Sequence, residues 1–156
     1  MKDSIAAAIA SLVLLSGVSA HAQSIRITPN GSTPSAIGAP ANFSGHVVVD
    51  PLFPATDETR ATTGLVAFAP GARTAWHTHP AGQLLIVAVG KGWVQEEGQP
   101  RREINPGDVV WIPADVKHWH GATDSNGMSH IAVSYMRDGK NVDWMELVTD
   151  EQYNAR

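Results

Sequence analysis

From His46 onward the chain breaks into short apolar runs, each stopped by glycine or proline. "HVVVD" leads into the Pro-containing loop "PLFPATDETR". "TTGLVAFAPG" alternates and ends at Pro70-Gly71, and "ARTAWHTH" ends at Pro80. "QLLIVAVG" and "KGWVQEEG" follow, and then "RREI" before the turn "NPGD". "VVWIP", "KHWHGA" and "SHIAVSYM" complete the series. Runs of this length and spacing predict an antiparallel all-β sandwich or barrel. "QLLIVAVG" is apolar throughout, as expected of a strand covered on both faces. "KGWVQEEG" is expected to pair with it across a Gly-containing turn. Only "TDEQYNAR" reads as helical, with Thr149 as N-cap and Gln152 three residues on, a capping box. This short C-terminal helix is expected to pack on the barrel as a lid.

Two histidines stand one residue apart in "ARTAWHTH". A strand sends residues i and i+2 to the same side, so His77 and His79 face together while Trp76 and Thr78 face away. Paired imidazoles on one face form either a metal clamp or a solvent-exposed strand face. Further on, His118 and His120 share a face, with Trp119 opposed. His130, Ala132 and Ser134 share another. Thr74 lies an odd number of residues from His77, so simple alternation puts it on the opposite face unless a bulge intervenes. Trp76, Trp93, Trp111, Trp119 and Trp144 are read as core, sheet-packing or interface residues.

Composition narrows the partners. The chain has 156 residues, 43% of them apolar and 17% charged, with a formal net charge of −4. That length suits one domain. With no basic run, nucleic acid and anionic membrane surfaces are not expected partners. No cysteine is present, which removes disulfides and thiol chemistry. Lys2, the apolar run "IAAAIASLVLL" and the small-x-small triplet Ala20-His21-Ala22 follow the pattern of a secretory signal, 1–22, cleaved after Ala22. The remaining chain is expected to be periplasmic or secreted. Residues 23–45, rich in Ser, Thr, Pro, Gly and Ala, read as an N-terminal arm with one candidate strand at Ile25–Thr28. Residues 46–156 read as the barrel domain.

The spacing of the polar residues resembles the cupin superfamily. Its first motif is G-x5-H-x-H-x3,4-E-x6-G, matched by Gly71, His77, His79 and Gly90, with Gln83 at the glutamate position. Its second is G-x5-P-x-G-x2-H-x3-N, matched by Gly107, Pro113 and His118, with Asp115 and Ala122 as departures. The resemblance implies a cupin-type β-barrel, a double-stranded β-helix or jelly roll, with a metal inside. The implied ligands are His77, His79, Gln83 and His118. Three imidazoles and one side-chain oxygen suit a first-row divalent ion.

"PGARTAWHTHPAGQLLIV", "PGDVVW", "KHWHGA" and "GKNVDWMELVTDEQY" narrow the likeness to small bacterial cupins that include manganese-dependent hydroxynitrile lyases. It runs from Phe43 to Tyr153. It implies Mn2+, with Fe2+, Ni2+, Co2+ or Zn2+ as alternatives, and His130 as the acid–base group. His120 is a supporting or rim candidate and Thr74 a further one. Relatives share the glutamine, but Ser134 stands where at least one has a longer amide. An amide brings a neutral oxygen where glutamate brings a charge. The metal's charge then stays uncompensated, which favours Lewis-acid chemistry over oxygen activation. The expected activity is cleavage of a cyanohydrin, a small-molecule substrate, to an aldehyde and hydrogen cyanide. A cupin dioxygenase acting on a small phenolic or alkene substrate is the alternative, and a non-catalytic periplasmic metal- or ligand-binding cupin is a third reading. Small cupins often pair through an outer sheet face, so a homo-oligomer is expected.

Overall fold

The computed structural model describes residues 24–155. The proposed signal segment lies outside them. Thirteen strands and one helix follow in order: β1 (Ala36–Ile37), β2 (Phe43–Ser44), β3 (Val47–Phe53), β4 (Ala61–Phe68), β5 (Arg73–Thr74), β6 (His77–Thr78), β7 (Gln83–Gly90), β8 (Gly92–Glu96), β9 (Arg102–Ile104), β10 (Val109–Ile112), β11 (His118–Ala122), β12 (Met128–Tyr135), β13 (Asp143–Trp144) and α1 (Asp150–Asn154). All pairings are antiparallel. One sheet runs β1-β3-β4-β12-β7-β10. In the other, β11 lies between β8–β9 on one side and β5 and β6, which pair with β2 and β13, on the other. The two curled sheets face each other as the all-β cupin-type barrel expected from the sequence.

The lead-in contributes β1 and β2 to the two sheets. Ile25–Thr28 forms no strand, and Ile25 and Ile27 are exposed. "SIRIT" alternates, but none of its backbone groups joins a ladder. Alternation alone does not make a strand without a paired edge.

Two expectations about pairing are corrected. β8 does not pair with β7 but with β9 and β11 in the opposite sheet. Lys91 alone separates β7 from β8, so the chain crosses between sheets there rather than making a hairpin. Gly90 allows this corner with φ +80°, and a Cβ would lie 1.9 Å from the Gly127 carbonyl oxygen. β7 is also not covered on both faces, because Ile86 and Val89 are exposed, beside Val109 and Trp111 of β10.

Apolar side chains fill the barrel at one end: Val47, Val66, Phe68, Val87, Val94, Ile104 and Met128. A second cluster lies on the outer face, where Trp76 and Trp119 pack with Val148 and Tyr153 beneath the C-terminal tail. Buried Arg73 pins that tail, donating to the Val148 carbonyl at 2.9 and 3.2 Å and to Asp150 at 2.6 Å. The capping box is formed: Thr149 Oγ1 accepts from Gln152 N–H at 3.1 Å and Gln152 Oε1 from Thr149 N–H at 2.9 Å. The outward Trp76 and Trp119 leave the inward positions between them to histidine. Among the described residues no helix is long and apolar enough to cross a membrane.

Candidate metal centre and acid–base site

His77 and His118 are direct partners in the β6–β11 pairing, with ring centroids 4.1 Å apart. His79 lies just past β6, its ring 5.1 Å from His77 and 5.5 Å from His118. One ring nitrogen from each of the three lies within 4.8 Å of the others, and all three side chains are buried. The turn through Pro80 and Ala81 then delivers Gln83 at the start of β7. Gly82 makes this turn with φ +84°, pressed against Trp111 and the Ile112 carbonyl.

Backbone carbonyls orient the imidazoles. His77 Nδ1 lies 2.9 Å from Ala75 O, His118 Nδ1 2.9 Å from Val116 O and His79 Nδ1 2.5 Å from Asn141 O. A carbonyl only accepts, so each Nδ1 carries the hydrogen and each Nε2 is left with a lone pair. Nε2 of His79 and His118 and Oε1 of Gln83 are buried with no hydrogen-bond partner. Buried acceptors are rarely left unsatisfied. Oriented, neutral, converging acceptors are the pattern of a metal site whose outer carbonyls fix the tautomer. These residues fit a first-row divalent ion: Nε2 of the three histidines and Oε1 of Gln83 would hold it.

Burial also sets the charge state. It pushes His118 down to about 4 and His77 well below the ordinary imidazole value, with neighbouring His118 and His79 adding repulsion at His77. His79 is lowered by burial, partly offset by its hydrogen bond to the Asn141 carbonyl. All three are therefore neutral near pH 7, as ligation requires.

A second pair stands beside them. His130 Nε2 and His120 Nδ1 are 3.1 Å apart, and Phe68 packs against both rings. Their outer nitrogens, His120 Nε2 and His130 Nδ1, are buried and unpartnered. Burial lowers His130 to about 4 and His120 well below the ordinary value, with His130 adding repulsion at His120. His130 also faces the cavity in line with Ala132 and Ser134 of β12, as the alternation predicts.

Thr74 is corrected. It does not face away from His77 but lines the same cavity, its Oγ1 accepting from the His120 N–H at 3.2 Å. "ARTAWHTH" is not one strand. Between β5 and β6, Ala75 N–H bonds to Asn42 O and Trp76 N–H to Glu146 O, and this break resets the alternation.

A cavity of about 290 Å³ joins these groups. Thr74, His77, His79, Gln83, His120 and His130 line it, and among the described residues no acidic side chain does. Gly64 and Ala132, opposite each other in the β4–β12 pairing, widen its wall. Trp144, read from the sequence as a core or interface residue, lines the cavity mouth and lies 4.8 Å from the His77 ring. Sequence reasoning missed Asn141 because it acts through its backbone carbonyl, which has no side-chain signature. Its Nδ2 ties the same loop to Thr62 Oγ1 at 2.8 Å.

Barrel and site together define a small β-barrel protein with a buried cluster of neutral histidines arranged as a metal centre would be. A family model described as "Cupin domain" matches residues 64–134. The chain is 55% identical over 123 residues to the (R)-mandelonitrile lyase of Granulicella tundricola, covering 79% of this chain and 94% of that protein. A cupin-like protein of Thermotoga maritima matches at TM-score 0.70 and 42% identity, over 83% of this chain and 95% of that one. A polyketide cyclase of Streptomyces resistomycificus matches at TM-score 0.65 and 15% identity, over 83% of this chain and 91% of that one, a likeness of fold alone. The chain belongs to the cupin family.

Proposed function

We propose that the protein is a metal-dependent hydroxynitrile lyase, cleaving a cyanohydrin to an aldehyde and hydrogen cyanide. The observation that carries this is the 55% identity to a mandelonitrile lyase over nearly all of that protein. The site supplies chemistry to match. His77, His79, Gln83 and His118 would hold a divalent ion, Mn2+ first among the candidates. Such an ion, bound by neutral donors alone, supplies Lewis-acid stabilisation of the negative charge that develops on the cyanohydrin oxygen or departing cyanide.

The proton chemistry belongs to His130 and His120. Both are neutral, and their mutual bond uses one N–H and one lone pair. The two outer nitrogens therefore share one N–H and one lone pair between them. The pair can accept the substrate hydroxyl proton and return a proton to cyanide. The O–H electron pair becomes the carbonyl π bond, and the carbon–carbon pair leaves with cyanide. Thr74 holds the His120 backbone in place. The apolar rings of Phe43 and Trp144, which line the cavity 5.4 Å apart, favour an aryl group on the substrate.

Mandelonitrile cleavage with and without oxygen tests this reading. Equal turnover in both, with no oxygen uptake, is the expected result. Oxygen-dependent turnover would favour the dioxygenase alternative, and no turnover at full metal occupancy the binding-protein alternative.

Two further assignments belong to this reading. The exposed Ile86, Val109 and Trp111 on the outer face of β7 and β10 form the contact of a homo-oligomer. Light scattering of wild type and Trp111→Lys checks it: a smaller particle for the variant is expected. The chain is exported, with cleavage after Ala22, which N-terminal sequencing of the periplasmic protein checks.

A further inference from the structure

Gln83 differs from the glutamate of the family motif in having two unlike ends. One end of a primary amide accepts hydrogen bonds and the other donates two. Only the oxygen end can face a cation, since N–H hydrogens carry positive charge toward it. Something in the wall must therefore decide which end turns inward.

Ser134 is in place to do so. It sits directly opposite Gln83 in the β7–β12 register, and Gln83 Nε2 donates to Ser134 Oγ at 3.0 Å. Both side chains are buried, and Oε1 is left without a protein partner. On its other side Gln83 is paired with Ile112, whose apolar side chain offers no acceptor. The contact is set by strand register rather than by a loop.

We propose that Ser134 is a positioning residue: its hydroxyl oxygen holds the amide nitrogen of Gln83 and so aims Oε1 at the three histidines. Without that hydroxyl, the Nε2 hydrogens lose the acceptor the structure gives them. The unpartnered Nε2 lone pairs of His79 and His118 then compete for them. A half-turn of the amide satisfies those hydrogens and points donors at the place the ion would occupy. A carboxylate at position 83 has two equivalent oxygens and no wrong end. The effect of removing the hydroxyl therefore depends on which residue stands at position 83. The inference rests on the metal reading of the site.

The test is Mn2+ affinity of the metal-stripped full chain, measured by competition with a fluorescent chelator. Wild type, Ser134→Ala, Gln83→Glu and the double variant are compared, with Ser134→Thr as the conservative control. Ser134→Ala is expected to weaken Mn2+ binding about ten-fold in the glutamine background, the low end for loss of a partner that orients a ligand. In the glutamate background the loss is expected to be under about two-fold. Ser134→Thr, which keeps a hydroxyl, retains wild-type affinity. Equal losses in the two backgrounds would mark a packing effect and overturn the proposal, as would an unchanged affinity for Ser134→Ala. A wild type that binds no first-row divalent ion overturns the metal reading itself, and this inference with it.

Discussion

His77 and His118 face each other across β6 and β11, forty-one positions apart in the chain, with ring centroids 4.1 Å apart. Each donates its Nδ1–H to the carbonyl two residues before it, Ala75 and Val116 respectively. The pair is thus preset as two lone-pair donors of the same tautomer. His77→Ala or His118→Ala is expected to abolish metal retention and turnover together. Elemental analysis of the purified variants checks this, and full occupancy in either would count against the assignment.

As a proposed ligand, Gln83 keeps the donor set neutral, since among the described residues no acidic side chain lines the cavity. Gln83→Glu is expected to keep the metal and lower kcat for mandelonitrile about ten-fold, or ~1.4 kcal/mol of barrier. Added negative charge weakens the Lewis acid. Steady-state kinetics at equal metal content measure it, and unchanged turnover would remove the role given to uncompensated charge.

His130 stands off from the proposed ligands, bonded to His120. His130→Ala is expected to retain the metal while turnover falls roughly a hundred- to ten-thousand-fold, the range of general acid–base catalysis. Intact turnover at full occupancy would place the proton-transfer group elsewhere.

Burial holds the His130 pKa at about 4 in the folded chain, against 6.5 ordinarily. Between those values the unfolded chain binds a proton at this position that the folded chain does not. Stability therefore rises with pH across the window; it is complete above the unfolded value and lost as pH falls toward 4. The loss attributable to this side chain is on the order of 3 kcal/mol. Urea unfolding of metal-stripped wild type and His130→Gln from pH 4 to 7 checks it. The variant's dependence on pH is expected to be shallower by about one proton, and identical slopes would contradict the assignment.

Much of the site was legible because strand periodicity and backbone direction agree. The parity of His77 with His79 and of His118 with His120 put each pair of imidazoles on one face, opposed to Trp76 and Trp119, and that face is the buried one. Thr74 was not legible. The break at Ala75 and Trp76 arises from bonds to Asn42 and Glu146, partners remote in the chain. The crossing from β7 to β8 was hidden for a related reason, since a glycine corner between sheets and a hairpin look alike in sequence. The exposed face of β7 is apolar like its buried face, so composition did not distinguish them. The carbonyl of Asn141 on His79 carries no side-chain signal at all.

If three imidazoles and an amide hold one cation with no anionic donor, anomalous diffraction from crystals of the Mn2+-loaded protein, collected near the manganese edge, will show it. A single strong peak is expected within ligand distance of Nε2 of His77, His79 and His118 and of Oε1 of Gln83. Active protein with no peak among those residues, or a peak bound instead by an aspartate or glutamate, would contradict it.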